Sequence, residues 1–177
     1  MIELILGGAR SGKSRYTQQR AILLASDKDC QVVYVATAQK TDSEMASRIE
    51  RHQQDRPATW QVEEVPLALG EWFQQAEQLP EQVILVDCLT LWLNNQLYHF
   101  PKQNFEALFE QLIKQLVASK HHILLVANEV GLGVIPIGEV SRRFVDLAGW
   151  LNQAMATSAD SVTFIVAGLP MPLKESL

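Results

Sequence analysis

The chain has 177 residues, 47% of them hydrophobic and 20% charged. That is enough for one globular domain with a buried core, and no run approaches the roughly 18 apolar residues of a membrane-spanning helix. A formal net charge of −5 argues against nucleic acid or an anionic lipid surface as a partner, because both demand a positive field.

Strand-like apolar runs fall at Ile2–Leu6, Gln31–Ala36, Trp60–Val65, Gln82–Val86, His122–Ala127 and Val162–Ala167. Several are almost continuously apolar, as strands buried on both faces of a parallel sheet must be. Helical periodicity separates them at Lys13–Ser26, Ser43–Gln54, Leu67–Gln78, Asn104–Ser119 and Gly138–Thr157. Strands spaced by helices of this length predict right-handed βαβ units and a three-layer α/β fold, a mostly parallel sheet flanked by helices. There is no linker or repeat, so one domain over 1–177 is expected. The polar stretch Asn94–Gln103, with Pro101, reads as a loop or excursion rather than a domain boundary, and the tail from Pro170 as loosely held. Cys30 and Cys88 match no metal or disulfide spacing and read as reduced core thiols, which suits a cytoplasmic protein. Ile2–Leu6 is too short for a signal peptide, lacks a basic start and is interrupted by Glu3, so no targeting segment is expected.

The strongest chemical signal follows the first strand. Gly7-Gly8-Ala9-Arg10-Ser11-Gly12-Lys13-Ser14 fits G-x-x-x-x-G-K-[ST], the P-loop pattern, and it lies between a strand and an amphipathic helix as that loop requires. Glycines let backbone N–H groups curl around phosphate oxygens, and the helix N-terminus adds its positive dipole. Lys13 is assigned to the β- and γ-phosphates and Ser14 to Mg²⁺. The companion acid is Asp87, at the end of Val83-Ile84-Leu85-Val86. A carboxylate at the C-terminal tip of a parallel strand faces the ligand crevice, where it holds Mg²⁺ or touches the nucleotide; a helix cap is the competing role. The N-K-x-D loop by which switch GTPases read guanine is absent.

On the helix predicted after the second strand, Glu44, Arg48 and His52 share one face at i, i+4, i+8. A neutral imidazole is a good nucleophile near pH 7 and forms phosphoramidates, but from spacing alone a histidine at a helix end reads first as a capping or surface residue. His99, His121 and His122 read as loop and strand-entry residues. Glu129, in the Gly-rich loop Glu129–Gly133, either orients substrate or metal or stabilises its own loop. The adjacent Arg142 and Arg143 read as a solvated pair before an anion pocket.

Taken together, these motifs resemble one family over nearly the whole chain: the bifunctional adenosylcobinamide kinase/adenosylcobinamide-phosphate guanylyltransferases of cobalamin biosynthesis. The resemblance rests on the P-loop, on Glu44-Met45 with Arg48-Ile49, His52, Arg56-Pro57 and Trp60, and on Asp87-Cys88-Leu89-Thr90. It continues with Asn128-Glu129-Val130-Gly131, Gly133 and Pro136, then Asn152-Gln153, Ala159-Asp160 and Ala167-Gly168. The run Met-x-x-Arg-Ile-x-x-His-x-x-x-Arg-Pro and the Asn-Glu-Val-Gly run are far more specific than the P-loop.

The resemblance implies a P-loop NTPase domain of RecA-like type that assembles into homo-oligomers, trimers among them. It implies phosphorylation of adenosylcobinamide by ATP or GTP, and then transfer of GMP from GTP through a covalent adduct on His52. It implies nucleotide contacts at Gly7, Gly8, Ala9, Arg10, Ser11, Gly12, Lys13 and Ser14, at Ala36, Thr37 and Ala38, at Gln53, Gln54, Asp55 and Arg56, and at Glu64 and Asp87. Mg²⁺ falls to Ser14 and Asp87, and the corrinoid is the small-molecule partner. Two other functions fit the phosphate cradle without His52: a monofunctional P-loop kinase of another small alcohol, and a nucleotide-sensing module.

Overall fold

A computed structural model of the chain describes residues 1–39 and 56–175. The elements in chain order are β1 (Ile2–Gly7), α1 (Lys13–Lys28), β2 (Gln31–Ala36), β3 (Gln61–Glu64), α2 (Leu69–Ala76) and β4 (Gln82–Asp87). They continue with α3 (Leu89–His99), α4 (Phe105–Ala118), β5 (His122–Asn128), α5 (Glu139–Ser158), β6 (Ser161–Val166) and β7 (Leu169–Lys174). The strands form one seven-stranded sheet in the order β3-β2-β4-β5-β1-β6-β7. Every neighbouring pair is parallel except β6 with β7.

The three layers follow from the alternation of side chains along the strands. Ile5, Val32, Tyr34, Val83, Leu85, Leu124 and Val126 pack on one face with Ala21 and Leu24 of α1. Leu4, Leu6, Val33, Val35, Ile84, Val86, Ile123 and Leu125 pack on the other, under residues of α2, α3, α4 and α5. Two faces covered by helices explain why the interiors of β4 and β5 read as unbroken apolar runs. Among the described residues no helix is long and apolar enough to cross a membrane.

Two expectations are corrected. Asn94–Gln103 is not a loop throughout, because α3 runs to His99 before a turn. Two of its polar residues are buried rather than facing water: Asn95 Nδ2 donates to Thr37 O at 2.8 Å and Pro66 O at 3.0 Å, and Gln96 Nε2 to Leu67 O at 2.8 Å. With Asn95 and Gln96 on the buried side, the helix shows no clean amphipathic stripe, so its second half mimics a polar connection. Nor is the tail from Pro170 loose. Leu169–Lys174 adds an antiparallel edge strand to β6. Pro170 and Pro172 are tolerated because an edge strand has one side with no ladder to complete. Lys174 Nζ then donates to the carbonyls of Ala156, Thr157 and Ala159, satisfying the C-terminal end of α5. The predicted helix Ser43–Gln54 lies outside the described residues.

Candidate active site

Gly7 ends β1 in register with Asn128 of β5 and Ile165 of β6. A Cβ at Gly7 would come within 2.6 Å of Ser11 Oγ and 2.7 Å of Ile165 O, so only glycine lets the chain turn over the sheet there. The loop turns back through Ser11 N, which donates to Gly8 O at 3.3 Å. Arg10 and Gly12 take positive φ, 56° and 96°, before α1 starts at Lys13. Gly12 is the N-cap and offers no side chain to the first-turn amides, which leaves those donors for an anion. Ala9 and Arg10 are exposed, and Gly8, Ser11, Gly12 and Ser14 are half-buried.

Lys13 is buried, and its Nζ donates to Gly8 O at 3.0 Å, which folds the ammonium over the loop. Burial pulls its pKa below the usual lysine range, while the Asp87 charge opposes that shift. The acid two strands away is therefore close enough to act on the P-loop lysine. Asp87 ends β4 beside Ala36 of β2, and Ala36 in turn faces Glu64 of β3. Asp87 Oδ2 accepts from the Tyr34 hydroxyl at 2.8 Å. Arg56 lies over the Tyr34 ring, its guanidinium carbon 3.7 Å from the centroid.

Thr37 welds the wall between these strands. Its hydroxyl accepts from Cys88 N at 2.8 Å and donates to Cys88 O at 2.7 Å, and it is fully buried. Burial and Asp87 push the Cys88 thiol up to about 12, so it is an inert part of that wall. Ala38 is half-buried just beyond. At the end of β5, Asn128 N donates to Thr90 Oγ1 at 2.6 Å, and Glu129 N to Gly7 O at 3.1 Å. The Glu129 carboxylate accepts from Gly131 N at 2.8 Å and stands 3.5 Å from Asn152 Nδ2. Of its two sequence readings, stabilising its own loop is thus the one with direct contacts.

Lys13 and Ser14 at the start of α1, and Ala36, Glu64 and Asp87 at the ends of three adjacent strands, therefore gather at the C-terminal edge of the sheet, and Arg56, from the segment before β3, lies over the Tyr34 ring. His52, Gln53, Gln54 and Asp55 lie outside the described residues. Arg142 is tied to the carbonyls of Pro136 and Ile137, and Arg143 lies 5.5 Å from the Phe105 ring, so neither joins the cradle. His121 is a core residue bridging Gln82 N and Ala76 O. Tyr34 is the site residue that sequence reasoning missed; its signal was a single aromatic hydroxyl in an otherwise aliphatic buried strand.

Residues 3–173 match the family model described as cobinamide kinase / cobinamide phosphate guanyltransferase. The chain belongs to this family. It is 51% identical over 174 residues to the bifunctional adenosylcobalamin biosynthesis protein CobP of Pseudomonas aeruginosa, with 98% of each chain covered. It is 36% identical to the CobU protein of the same description from Escherichia coli, covering 98% of this chain and 100% of that one. Members carrying these descriptions are bifunctional, which is the activity class the motifs implied.

Solved structures extend the likeness at the level of fold. The flagellar accessory protein FlaH of Methanocaldococcus jannaschii superposes with a TM-score of 0.54 at 16% identity, over 99% of this chain and 78% of that one. A second solved structure, described as an ATPase domain, gives a TM-score of 0.54 at 13% identity, over 92% and 68%. This chain thus shares with them a mostly parallel, helix-flanked sheet, and it carries its P-loop at the end of β1.

Proposed function

We propose that this chain phosphorylates adenosylcobinamide with a nucleoside triphosphate and then converts the product to adenosylcobinamide-GDP, taking GMP from GTP through a covalent adduct on His52. The observation that carries the reading is the phosphate-loop geometry: Gly7 sits where a Cβ would clash with Ser11 and Ile165, and the buried Lys13 folds over the loop with its Nζ on Gly8 O at 3.0 Å. Family membership supplies the two reactions.

The donor set fits Mg²⁺. A serine hydroxyl and a carboxylate are hard oxygen ligands, and an Mg²⁺ that comes in on a triphosphate takes only one or two protein groups. Ser14 and Asp87 are those groups. Ser14 follows the buried Lys13 in the first turn of α1, and the Asp87 carboxylate is close enough to that lysine to act on its charge. Bound there, Mg²⁺ supplies charge neutralisation on the phosphate oxygens.

The protein's own contribution is positioning. The loop amides and the α1 N-terminus hold the phosphates, and Lys13 balances the charge that builds on the transferring group. In the kinase step the γ-phosphoryl passes directly to the substrate hydroxyl, and no protein nucleophile intervenes. In the second step the His52 imidazole attacks the α-phosphorus, the bond to pyrophosphate breaks, and pyrophosphate leaves. The phosphate of the corrinoid product then attacks the same phosphorus and releases the imidazole. Ala36, Thr37, Ala38, Gln53, Gln54, Asp55, Arg56 and Glu64 would line the nucleotide. The enzyme would act as a homo-oligomer in the cytoplasm, with no nucleic-acid partner.

Incubation with α-labelled GTP tests the reading. A phosphoramidate on His52, acid-labile and dischargeable by corrinoid phosphate, is expected. Nucleotide binding without any protein-bound label would overturn the guanylyltransferase half.

A further inference from the structure

Asp87 does not stand alone at the tip of β4. Residues i and i+2 of a strand share a face, so Tyr34 and Ala36 project to the same side of the sheet, the side packed on α1. Ala36 is in register with Asp87, and Tyr34 with Leu85. Tyr34 therefore lies diagonally across from Asp87 on that face, within reach of a long side chain. Its hydroxyl makes the 2.8 Å bond to Oδ2.

Three properties make this more than packing. Tyr34 is only 3% exposed, so its ring has one available place and its hydroxyl one direction. A carboxylate oxygen only accepts, so the hydroxyl is the donor in this bond and its proton is directed at Oδ2. The outer face of the ring seats Arg56 at 3.7 Å, a cation–π distance. Arg56 follows His52 by four residues in the chain.

We propose that Tyr34 is a positioning residue that couples the two halves of the site: its hydroxyl fixes the Asp87 carboxylate for the Mg²⁺–nucleotide complex while its ring seats Arg56. The inference rests on the reading of Asp87 as the acid of the nucleotide site. One rigid side chain sets both the acid serving the phosphates and the guanidinium that ends the histidine-bearing segment. Rotation of Asp87 away from Tyr34 would cost a charge-assisted hydrogen bond in a buried place, so the acid holds one orientation before ligand arrives.

The test uses the full-length protein without corrinoid and a fluorescent, non-hydrolysable GTP analogue, with Mg²⁺ titrated at fixed analogue. Tyr34→Phe keeps the ring and removes the hydroxyl. It should raise the half-saturating Mg²⁺ about 10-fold, the size of one charged hydrogen bond, and leave affinity in EDTA within about twofold. Tyr34→Leu, which also removes the seat of Arg56, should weaken binding in EDTA as well. Combined with Asp87→Asn, Tyr34→Phe should add nothing further to the Mg²⁺ requirement, because it acts through that carboxylate. A Tyr34→Phe protein with parental Mg²⁺ dependence and only a lower melting temperature would overturn the proposal, as would additive effects with Asp87→Asn. If Asp87→Asn itself leaves the Mg²⁺ titration unchanged, the assignment of Asp87 fails, and the coupling falls with it.

Discussion

The amide of Gly168 donates to the carbonyl of Ser11 at 2.8 Å, so the turn between the last two strands is bonded directly to the phosphate loop. Gly168 holds φ +81°, and a Cβ on Gly12 would lie 3.1 Å from its Cα. Two glycines far apart in sequence thus meet backbone to backbone, and the β6–β7 turn braces the loop from outside.

Gly168→Ala is therefore expected to act at the nucleotide site without touching ligand. The new Cβ meets only the Arg15 guanidinium, at an ordinary 3.7 Å, so the cost is the left-handed backbone, about 1 kcal/mol. Calorimetry should show nucleotide affinity reduced several-fold, with a small drop in melting temperature. Unchanged affinity would mean that the turn does not brace the loop.

Lys13→Met should abolish nucleotide turnover in both reactions, by at least about 100-fold, without lowering the melting temperature of the free protein. The sign follows from burial. A lysine whose folded pKa lies below its unfolded value costs stability wherever it is charged in the folded state. That cost is fully present below the folded pKa and is relieved as pH rises toward the unfolded value. For the same reason, nucleotide affinity in the parent should fall at a lower alkaline pH than an ordinary lysine would give. A marked loss of stability in Lys13→Met would contradict this.

Asp87→Asn should leave the fold intact, since the amide oxygen still accepts from Tyr34. Mg²⁺-dependent nucleotide use should fall about 100-fold. Rates at saturating and limiting Mg²⁺ separate this from a helix-capping role, which would lower stability alone.

Arg20→Met should destabilise the protein by about 2 kcal/mol in denaturant unfolding. Glu3 is buried on β1, and Arg20 grips it with Nε at 3.0 and 2.9 Å and Nη2 at 2.5 Å. Removing the guanidinium leaves a buried carboxylate without its partner. The double variant Glu3→Leu/Arg20→Met should regain most of the loss, because an apolar pair carries no desolvation penalty. A double variant as unstable as the single one would refute the ion-pair account.

His52→Ala should lose covalent labelling by α-labelled GTP and retain measurable cobinamide kinase activity. Peptide mapping by mass spectrometry checks both the site and the mass of the adduct. A GMP adduct on another residue would remove His52 from the mechanism.

The sequence alone determined what is local and contiguous. The P-loop is eight successive residues, Gly7 to Ser14, in a strand–loop–helix context, and the apolar runs of β1, β2, β4 and β5 are legible because both faces of each strand are buried. Asp87 was placed by its position at the end of such a run. The tertiary structure decided what depends on partners distant in the chain. Whether Glu3 merely interrupts a strand or is a paired buried charge depends on Arg20, one helix later. Whether Asn95 and Gln96 belong to a loop or a buried helix depends on carbonyls at Thr37, Pro66 and Leu67, which only folding brings within 3.0 Å. Whether Leu169–Lys174 is a tail or a strand depends on the open edge of β6, and the bonds of Tyr34 to Asp87 and of Gly168 to Ser11 join segments that share no local pattern. Periodicity reports how a residue is turned with respect to its own element; a hydrogen bond between elements is specified only when both have been packed.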